Sequence, residues 1–306
     1  MQIYRHIPSS SAAPHALAIG NFDGLHLGHQ ALLAKTVEVA KSQQLRPAVM
    51  TFDPHPREFF TPKNAPARLS SLREKLEYLG EVGIEDVYVL RFNQVFSAIS
   101  AQDFMHQILQ ASLNANTILV GGDFCFGAKR KGTVQDLMAA GFNLIDFPQV
   151  EISGMRVSST LVRQALADGD LKQAHGYLGR PYSISGKVVH GAKRGRQLGY
   201  PTANVHMRHE RPALTGVYAV KLDGRNGVAN LGVRPTIVGV PKLLLEVYIF
   251  DFNGNLYDKH VHVQFFHKLR DEIKFPNLEA LKAQIVVDVD NAQDFFEQKI
   301  LNIKSK

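Results

Sequence analysis

The chain has a single cysteine, Cys125, in 306 residues. That excludes an internal disulfide and a cysteine cluster for zinc. No uninterrupted apolar run approaches the length of a membrane span. The opening residues, Met1-Gln2-Ile3-Tyr4-Arg5-His6-Ile7-Pro8, lack the basic region, apolar core and cleavage site of a signal peptide. The expectation is a cytoplasmic protein with no membrane association. Long basic runs and dense aromatic-basic interleaving are also missing, which sets nucleic acid aside as the main partner. What is present is ordinary for a folded protein: 45% apolar and 21% charged residues. The length fits one large or two ordinary domains. A net charge of +7 favours anionic partners, and nucleotides satisfy it as well as nucleic acid does.

Chemistry concentrates first in Gly20-Asn21-Phe22-Asp23-Gly24-Leu25-His26-Leu27-Gly28-His29-Gln30. It follows the apolar run Ala16–Ile19, a predicted buried strand, and precedes a predicted helix over Ala31–Ala40. A glycine-bearing turn from strand to helix lets backbone approach a phosphate, and the helix start supplies free N–H groups. Two histidines three residues apart there project from one side and suit a phosphate as imidazole donors or imidazolium. Further strand-like runs lie at Ala48–Phe52, Val87–Phe92, Ile118–Gly121 and Leu144–Phe147, with helical spacing over Ser71–Leu79 and Gln102–Leu113. This alternation predicts a doubly wound parallel sheet with ligands at the carboxyl ends of its strands. Those ends carry Asp53-Pro54-His55-Pro56 and Gly121-Gly122-Asp123-Phe124-Cys125-Phe126. The two phenylalanines fit either core packing or a flat-ring pocket. Lys129-Arg130-Lys131 fits a solvated face or a phosphate shield. Later, Ser158, Ser159 and Thr160 open a predicted helix, with Arg163 one turn on, a second phosphate clamp.

Beyond Gly179-Arg180-Pro181 the pattern turns to short β-rich runs: Tyr182–Val189, Gly216–Leu222, Gly227–Gly232, Leu243–Phe250 and Val261–Phe266. They predict an antiparallel barrel or sandwich, closed by a helix after Pro276. Gly191, Gly195 and Gly199, with Lys193, Arg194 and Arg196, form a basic glycine loop ahead of Tyr200-Pro201-Thr202-Ala203-Asn204. The glycines alone fit a flexible hairpin loop as well as a phosphate wrap. The spacing is neither a Walker A loop nor a dinucleotide fingerprint. Glu246 is the lone acid in the strand-like Leu243–Phe250. Alternation places it beside Leu244, Tyr248 and Phe250, so a carboxylate there asks for a partner or a function.

Gly-Asn-Phe-Asp-Gly-x-His-x-Gly-His resembles the nucleotidylyltransferase signature, related to the HIGH motif of class I aminoacyl-tRNA synthetases. With Ser-Ser-Thr-x-x-Arg and Gly-x-Pro-Thr-Ala-Asn in the same chain, the sequence as a whole resembles the bacterial bifunctional riboflavin kinase/FAD synthetase family. The resemblance implies a Rossmann-like FMN adenylyltransferase domain over 1–181 and a β-barrel riboflavin kinase domain with a terminal helix over 182–306. It implies that riboflavin and ATP give FMN and ADP, and that FMN and ATP give FAD and pyrophosphate. In the first domain His26, His29 and Arg163 would be catalytic. Gly20, Asn21, Phe22, Asp23, Gly24, Asp123, Ser159 and Thr160 would bind ATP, and Phe124 and Phe126 flavin. In the second, Glu246 would be the base, Thr202 and Asn204 would hold Mg²⁺, and Gly191, Lys193, Gly199 and Pro201 would bind ATP. Leu269-Arg270-Asp271-Glu272-Ile273-Lys274-Phe275 resembles a flavin segment, making Arg270 and Phe275 flavin contacts. Cys125 stands where the family often carries a basic residue, and Asp258 where it usually carries glycine, which points to a changed turn. The competing readings are another nucleotidylyltransferase, which leaves Pro-Thr-Ala-Asn and Glu246 idle, and a flavin-binding protein without turnover.

Overall fold

A computed structural model describes residues 1–306 except 11–12, 149, 153, 192–194, 196–197, 208–210, 235–241 and 305–306. The chain separates into two compact units, residues 1–66 with 72–158, and residues 67–71 with 159–306.

The first unit is built on the strands β1 (Gln2–Tyr4), β2 (His15–Ile19), β3 (Arg46–Phe52), β4 (Asp86–Leu90), β5 (Ala115–Gly121) and β6 (Asn143–Phe147). They form one sheet in the order β1-β4-β3-β2-β5-β6, with every neighbouring pair parallel. Every residue of β2 is buried. A strand covered on both faces reads as a continuous apolar run, which is why the short stretch at 16–19 was legible. One face packs on Leu109 and Leu113, the other on Leu33 and Leu79. The strand order reverses between β2 and β5, so the crevice that an open α/β sheet offers a ligand lies just beyond these two strands.

Around the sheet run α1 (Leu27–Ser42), α2 (Pro56–Phe60), α3 (Leu72–Glu81), α4 (Gln94–Ser97), α5 (Ala101–Asp103) and α6 (Val134–Ala139). The helix expected over Gln102–Leu113 differs in kind: after α5, Phe104–Ser112 winds as a π-helix. Its wider turn, closed by Leu113 N donating to Ile108 O at 2.9 Å, goes with burial of Phe104, Met105, Ile108 and Leu109. Edge strand β1 and the small hairpin β7 (Glu151–Ile152) and β8 (Met155–Arg156) went unread, because two or three residues carry no periodicity.

The amino end of the sheet carries a polar cluster in which His15 and Asp86 are buried. His15, Arg46 and Asp86 are the first residues of three adjacent strands. Arg46 clasps Asp86 through Nε at 2.7 Å and Nη2 at 3.0 Å, and His15 Nε2 lies 3.1 Å from the same carboxylate. Burial pushes the Asp86 pKa up, but the hydrogen bonds from Arg46 and His15 outweigh it and hold the carboxyl below its ordinary value.

The second unit begins with α7 (Ser159–Ala167) and α8 (Leu171–Leu178), which ends on Gly179 at φ 70°. Six strands follow: β9 (Tyr182–Val189), β10 (Thr202–His206), β11 (Gly216–Leu222), β12 (Arg225–Arg234), β13 (Lys242–Ile249) and β14 (His260–Arg270). They close into an antiparallel barrel, β10-β13-β12-β11-β14-β9. Closure removes both sheet edges and resolves the barrel-or-sandwich alternative. β10 completes the ring and was not expected as a strand; its polar Thr-Ala-Asn opening hides it. The final helix α9 (Leu278–Lys304) lays Val289, Ala292 and Phe296 against Val217, Ala219 and Val228. Among the described residues no helix is long and apolar enough to cross a membrane.

Candidate functional site

The turn from β2 into α1 sits at the switch point of the parallel sheet. Its backbone is under strain: Phe22 at φ 48° and Leu25 at φ 40° are both left-handed and almost fully buried, and Gly24 between them has φ 79°. Bulky residues in that region are outliers that persist where packing over-determines them. The turn is pinned by Gln30 Nε2 donating to Leu25 O at 2.7 Å. His26 is the N-cap of α1; its Nδ1 accepts from His29 N at 3.4 Å. An accepting Nδ1 places the ring proton of a neutral imidazole on Nε2, which is then a donor. The His26 and His29 rings stack with centroids 3.7 Å apart, and His29 meets the Phe22 ring edge-on at 5.2 Å. Gly28 makes this possible, because a Cβ there would lie 3.1 Å from the His26 ring. Asn21 Oδ1 is buried without a hydrogen-bond partner, and Asp23 is only 6% exposed. Gly20, Asn21, Phe22, Asp23, Gly24, His26 and His29 are therefore one connected feature.

A residue that the sequence did not single out supports this turn from behind. Lys75, on α3, is 7% exposed, and its Nζ donates to Asn21 O at 2.6 Å. A buried lysine in a helix pattern reads from sequence as a solvated charge, so no signal marked it.

The other strand ends are less uniform. Beyond β3, His55 caps α2 by accepting from Arg57 N at 3.1 Å, while Glu58 accepts from His55 N at 3.0 Å. Beyond β5, Asp123 is exposed and pairs with Arg156 Nη2 at 3.1 Å. Phe124 and Phe126 stack at 5.6 Å, and Phe126 is buried against Phe104 at 5.3 Å. Core packing accounts for Phe126 as it stands, and Phe124 is half-buried. Lys129, Arg130 and Lys131 are exposed. Missed by the sequence reading is an aromatic group beyond β3 and β4. Phe60, 63% exposed, meets Phe59 at 5.2 Å and Phe92 at 5.5 Å. Phe59 and Phe60 are neighbours in sequence, but Phe92 lies far along the chain, so only the fold assembles the group.

In the second unit Ser159 and Thr160 open α7 as expected. Arg163, one turn on, donates Nε to Ala67 O at 2.6 Å.

On the barrel, three residues come into one row. Asn204 of β10 lies opposite Glu246 of β13, and Glu246 lies opposite Asn230 of β12. Residues directly opposite in an antiparallel pair share a face, so Asn204, Glu246 and Asn230 project to one side. Thr202, two residues before Asn204, shares it, opposite Tyr248. Leu245, Val247 and Ile249 fill the interior, while Glu246 is half-buried on the outer face with Leu244, Tyr248 and Phe250. Asn204 is nonetheless only 7% exposed, because Gly191 covers it; a Cβ at 191 would sit on its amide. Gly199 has φ 91°. The expected contact Lys193, like Arg194 and Arg196, lies outside the described residues.

Beside this row is a cavity of about 230 Å³ lined by Pro201, Thr202, Val247, Phe252, Leu256 and Tyr257, among others. Its loop wall, 252–257, carries no charged residue and reads from sequence only as a turn between strands. The turn after it was expected to change where Asp258 replaces glycine. Asp258 adopts φ 64°, the left-handed conformation in which glycine is at home and which aspartate tolerates better than most residues, and pairs with Lys187 at 2.8 Å. Arg270 is clasped by Asp288 of α9 at 2.9 and 2.7 Å, with the Phe275 ring 5.7 Å away.

Comparison with known proteins agrees with both halves. A family model for FAD synthetase matches residues 9–161, and one for riboflavin kinase matches residues 178–296. The bifunctional riboflavin kinase/FMN adenylyltransferase of Haemophilus influenzae is 46% identical over 290 residues, covering 92% of this chain and 94% of that relative. The Pseudomonas fluorescens protein of the same description is 48% identical over 283 residues, 90% of this chain and 91% of the relative. A crystal structure described as a macrolide-efflux protein from Streptococcus pneumoniae matches with a TM-score of 0.80 at 32% identity, over 94% of this chain and 97% of that one. With its nucleotidylyltransferase turn on a parallel sheet and its Thr-Ala-Asn strand on a closed barrel, the chain belongs to the bifunctional riboflavin kinase/FMN adenylyltransferase family, FAD synthetase in its N-terminal part and riboflavin kinase in its C-terminal part.

Proposed function

We propose that the two reactions are carried by the two residue groups described above, in functional domains 1–181 and 182–306 of a cytoplasmic enzyme. In the kinase, the Glu246 carboxylate takes the proton from the terminal ribityl hydroxyl of riboflavin. That oxygen attacks the γ-phosphorus of ATP, and ADP leaves. The observation that carries this reading is the row Thr202, Asn204, Glu246, with Gly191 packed on Asn204. Hydroxyl and amide oxygens beside open phosphate oxygens are a donor set that fits Mg²⁺, which wants hard ligands. Thr202 and Asn204 would hold the ion, and it would neutralise charge on the ATP phosphates. The cavity between the 252–257 loop, Pro201 and Thr202 suits the nucleotide base. Arg270, held by Asp288, would position Phe275 toward flavin.

In the adenylyltransferase, an oxygen of the FMN phosphate attacks the α-phosphorus of ATP and pyrophosphate leaves. FMN phosphate is already ionised at neutral pH, so the chain supplies charge stabilisation and orientation rather than a base. The strained turn offers His26 Nε2–H, His29 and the Asn21 amide to phosphate oxygens. The family resemblance supports Ser159, Thr160 and Arg163 as further phosphate contacts, and Asp123 as a contact to the nucleotide. The half-buried Phe124 beside Phe126 supports a flavin surface.

The test is a product assay with riboflavin, ATP and Mg²⁺, separating flavins by chromatography. Glu246→Gln is expected to make no FMN or FAD from riboflavin, yet to convert added FMN to FAD. His29→Ala is expected to stop at FMN, with FAD formation down about 100-fold or more. Loss of both activities in either variant would refute the division of residues.

A further inference from the structure

Two asparagines stand on either side of Glu246, and the reaction scheme above uses only one of them. Asn204 of β10 lies directly opposite Glu246 across one strand boundary, and Asn230 of β12 lies directly opposite it across the other. All three project from the outer face of the barrel, while Ala229 and Leu231, the neighbours of Asn230 in β12, are buried inside. The two amides have different surroundings. Asn204 is 7% exposed beneath Gly191 and lies two residues from Thr202, which lines the cavity walled by residues 252–257. Asn230 is half-buried, and among the described residues its amide makes no hydrogen bond. A half-buried amide without a protein partner is a group that water or a ligand completes.

The outer face of β13 has two distinct ends. Beyond Tyr248 the strand runs into the 252–257 wall of the cavity that suits the nucleotide base. Towards Leu244 it lies beside Gly232 of β12, where an added Cβ would fall on the Glu272 carboxylate. Glu272 belongs to residues 269–275, the segment that also carries Arg270 and Phe275. On that reading the nucleotide approaches Glu246 from one end, and the flavin segment closes the other. Asn230 and Gly232 are alternate residues of one strand, so their outward positions are about 7 Å apart, a distance that a five-carbon polyol can span. A chain running from the Glu272 segment to Glu246 passes over Asn230.

We propose that Asn230 is a substrate-binding residue of the kinase: its side-chain amide hydrogen-bonds the ribityl hydroxyls of riboflavin and holds the terminal one against Glu246. This role rests on the reading of Glu246 as the base and deepens it. An amide suits a polyol because its NH₂ donates and its carbonyl oxygen accepts, and a hydroxyl does both. One residue type is thus used twice around one carboxylate, Asn204 for the Mg²⁺ of ATP and Asn230 for the acceptor. Recognition falls on the polyol and not on the flavin ring, so it distinguishes riboflavin from the same ring without its chain.

The experiment uses the full-length protein with Asn230→Ala and Asn230→Ser, and with Glu246→Gln alongside. Riboflavin phosphorylation is measured as KM for riboflavin, KM for ATP and kcat. Lumiflavin, the same ring system with a methyl in place of the ribityl chain, is titrated as a competitive inhibitor against riboflavin. Asn230→Ala is expected to raise KM for riboflavin about tenfold, the size of one lost hydrogen bond, and to lower kcat because the terminal hydroxyl is held less well. KM for ATP and the inhibition constant of lumiflavin are expected to stay within about twofold. Asn230→Ser, which keeps a hydroxyl, is expected to fall between wild type and Asn230→Ala. An unchanged KM for riboflavin overturns the proposal. So does an equal rise in KM for riboflavin and in the lumiflavin constant, the mark of a general disturbance of the flavin site. An equal rise in KM for ATP overturns it as well. If Glu246→Gln keeps full riboflavin phosphorylation, the reading of the base fails instead, a result separate from the Asn230 comparison. Should Asn230→Ala not fold, Asn230→Ser tested with riboflavin and lumiflavin still separates polyol recognition from packing.

Discussion

The two units place their chemistry in opposite ways. In the parallel sheet the candidates lie on the turns after strands or at the helix start that follows: Asn21 and His26 after β2, with His29 in the first turn of α1, and Asp123 after β5. The central strands β2 and β4 are buried along their length, and the polar side chains His15, Thr51 and Asp86 of the sheet are held in internal hydrogen bonds. In the barrel the candidates lie within strands: Asn204 and Asn230 flank Glu246 across three of them. The outer face of an antiparallel ring is free to carry polar groups at every second residue. The lesson is that the first site is held by loop conformation and the second by strand register. A left-handed Phe22 and a stacked histidine pair fix the one. Hydrogen-bonded pairing, which cannot slip without turning every side chain over, fixes the other.

Three measurements sharpen that contrast, the strongest first. Gly191→Ala puts a methyl on the Asn204 amide. Riboflavin phosphorylation is expected to fall by about 100-fold, the cost of misplacing a group by roughly an ångström. FMN adenylylation is expected to be unaffected, and steady-state rates for both reactions check this. A substitution that moved neither rate would show that register alone holds the barrel site.

Arg46→Met attacks the far end of the parallel sheet, where His15, Arg46 and Asp86 meet away from the chemistry. Arg46 is about half-exposed, so screening discounts the pair, and a loss of about 1–2 kcal/mol is expected in denaturant unfolding. Both activities should survive at temperatures where the variant is folded. The pH dependence has a definite sign. The Asp86 carboxyl is held below its ordinary value of 3.8, so its contribution is fully present above that value and is lost as pH falls through the lower, folded pKa. The difference between wild type and Arg46→Met is therefore constant from neutral pH down to about pH 5 and shrinks below it.

Phe60→Ala probes the exposed ring on Phe59 and Phe92. If this aromatic group receives the flavin during adenylylation, KM for FMN rises about fivefold, the value of one aromatic contact. Melting temperature should not move, since a ring 63% exposed adds little to the core. An unchanged KM for FMN would confine the flavin surface to Phe124 and its neighbours.

Much of this molecule was legible without its fold. The buried strand at 16–19, the glycine-bearing turn after it, the helix start at Ser159 and the acid at Glu246 each break or make a local pattern. Such patterns depend on backbone preference and side-chain spacing, which a few adjacent residues determine. Lys75, the ring cluster at Phe59, Phe60 and Phe92, and the cavity walled by the turn at 252–257 were not legible. Each is unremarkable among its sequence neighbours and takes its meaning from residues far away in the chain. Lys75 meets Asn21 across 54 positions. Asn230 gains its place only because β12 and β13 pair in one register rather than the next. Sequence by itself determined the elements and the motif that each carries, through local sterics and periodicity. Which strand closes the barrel, which carbonyl a buried lysine holds and which asparagine faces the carboxylate were decided by tertiary packing, because burial and strand register are properties of the assembled fold.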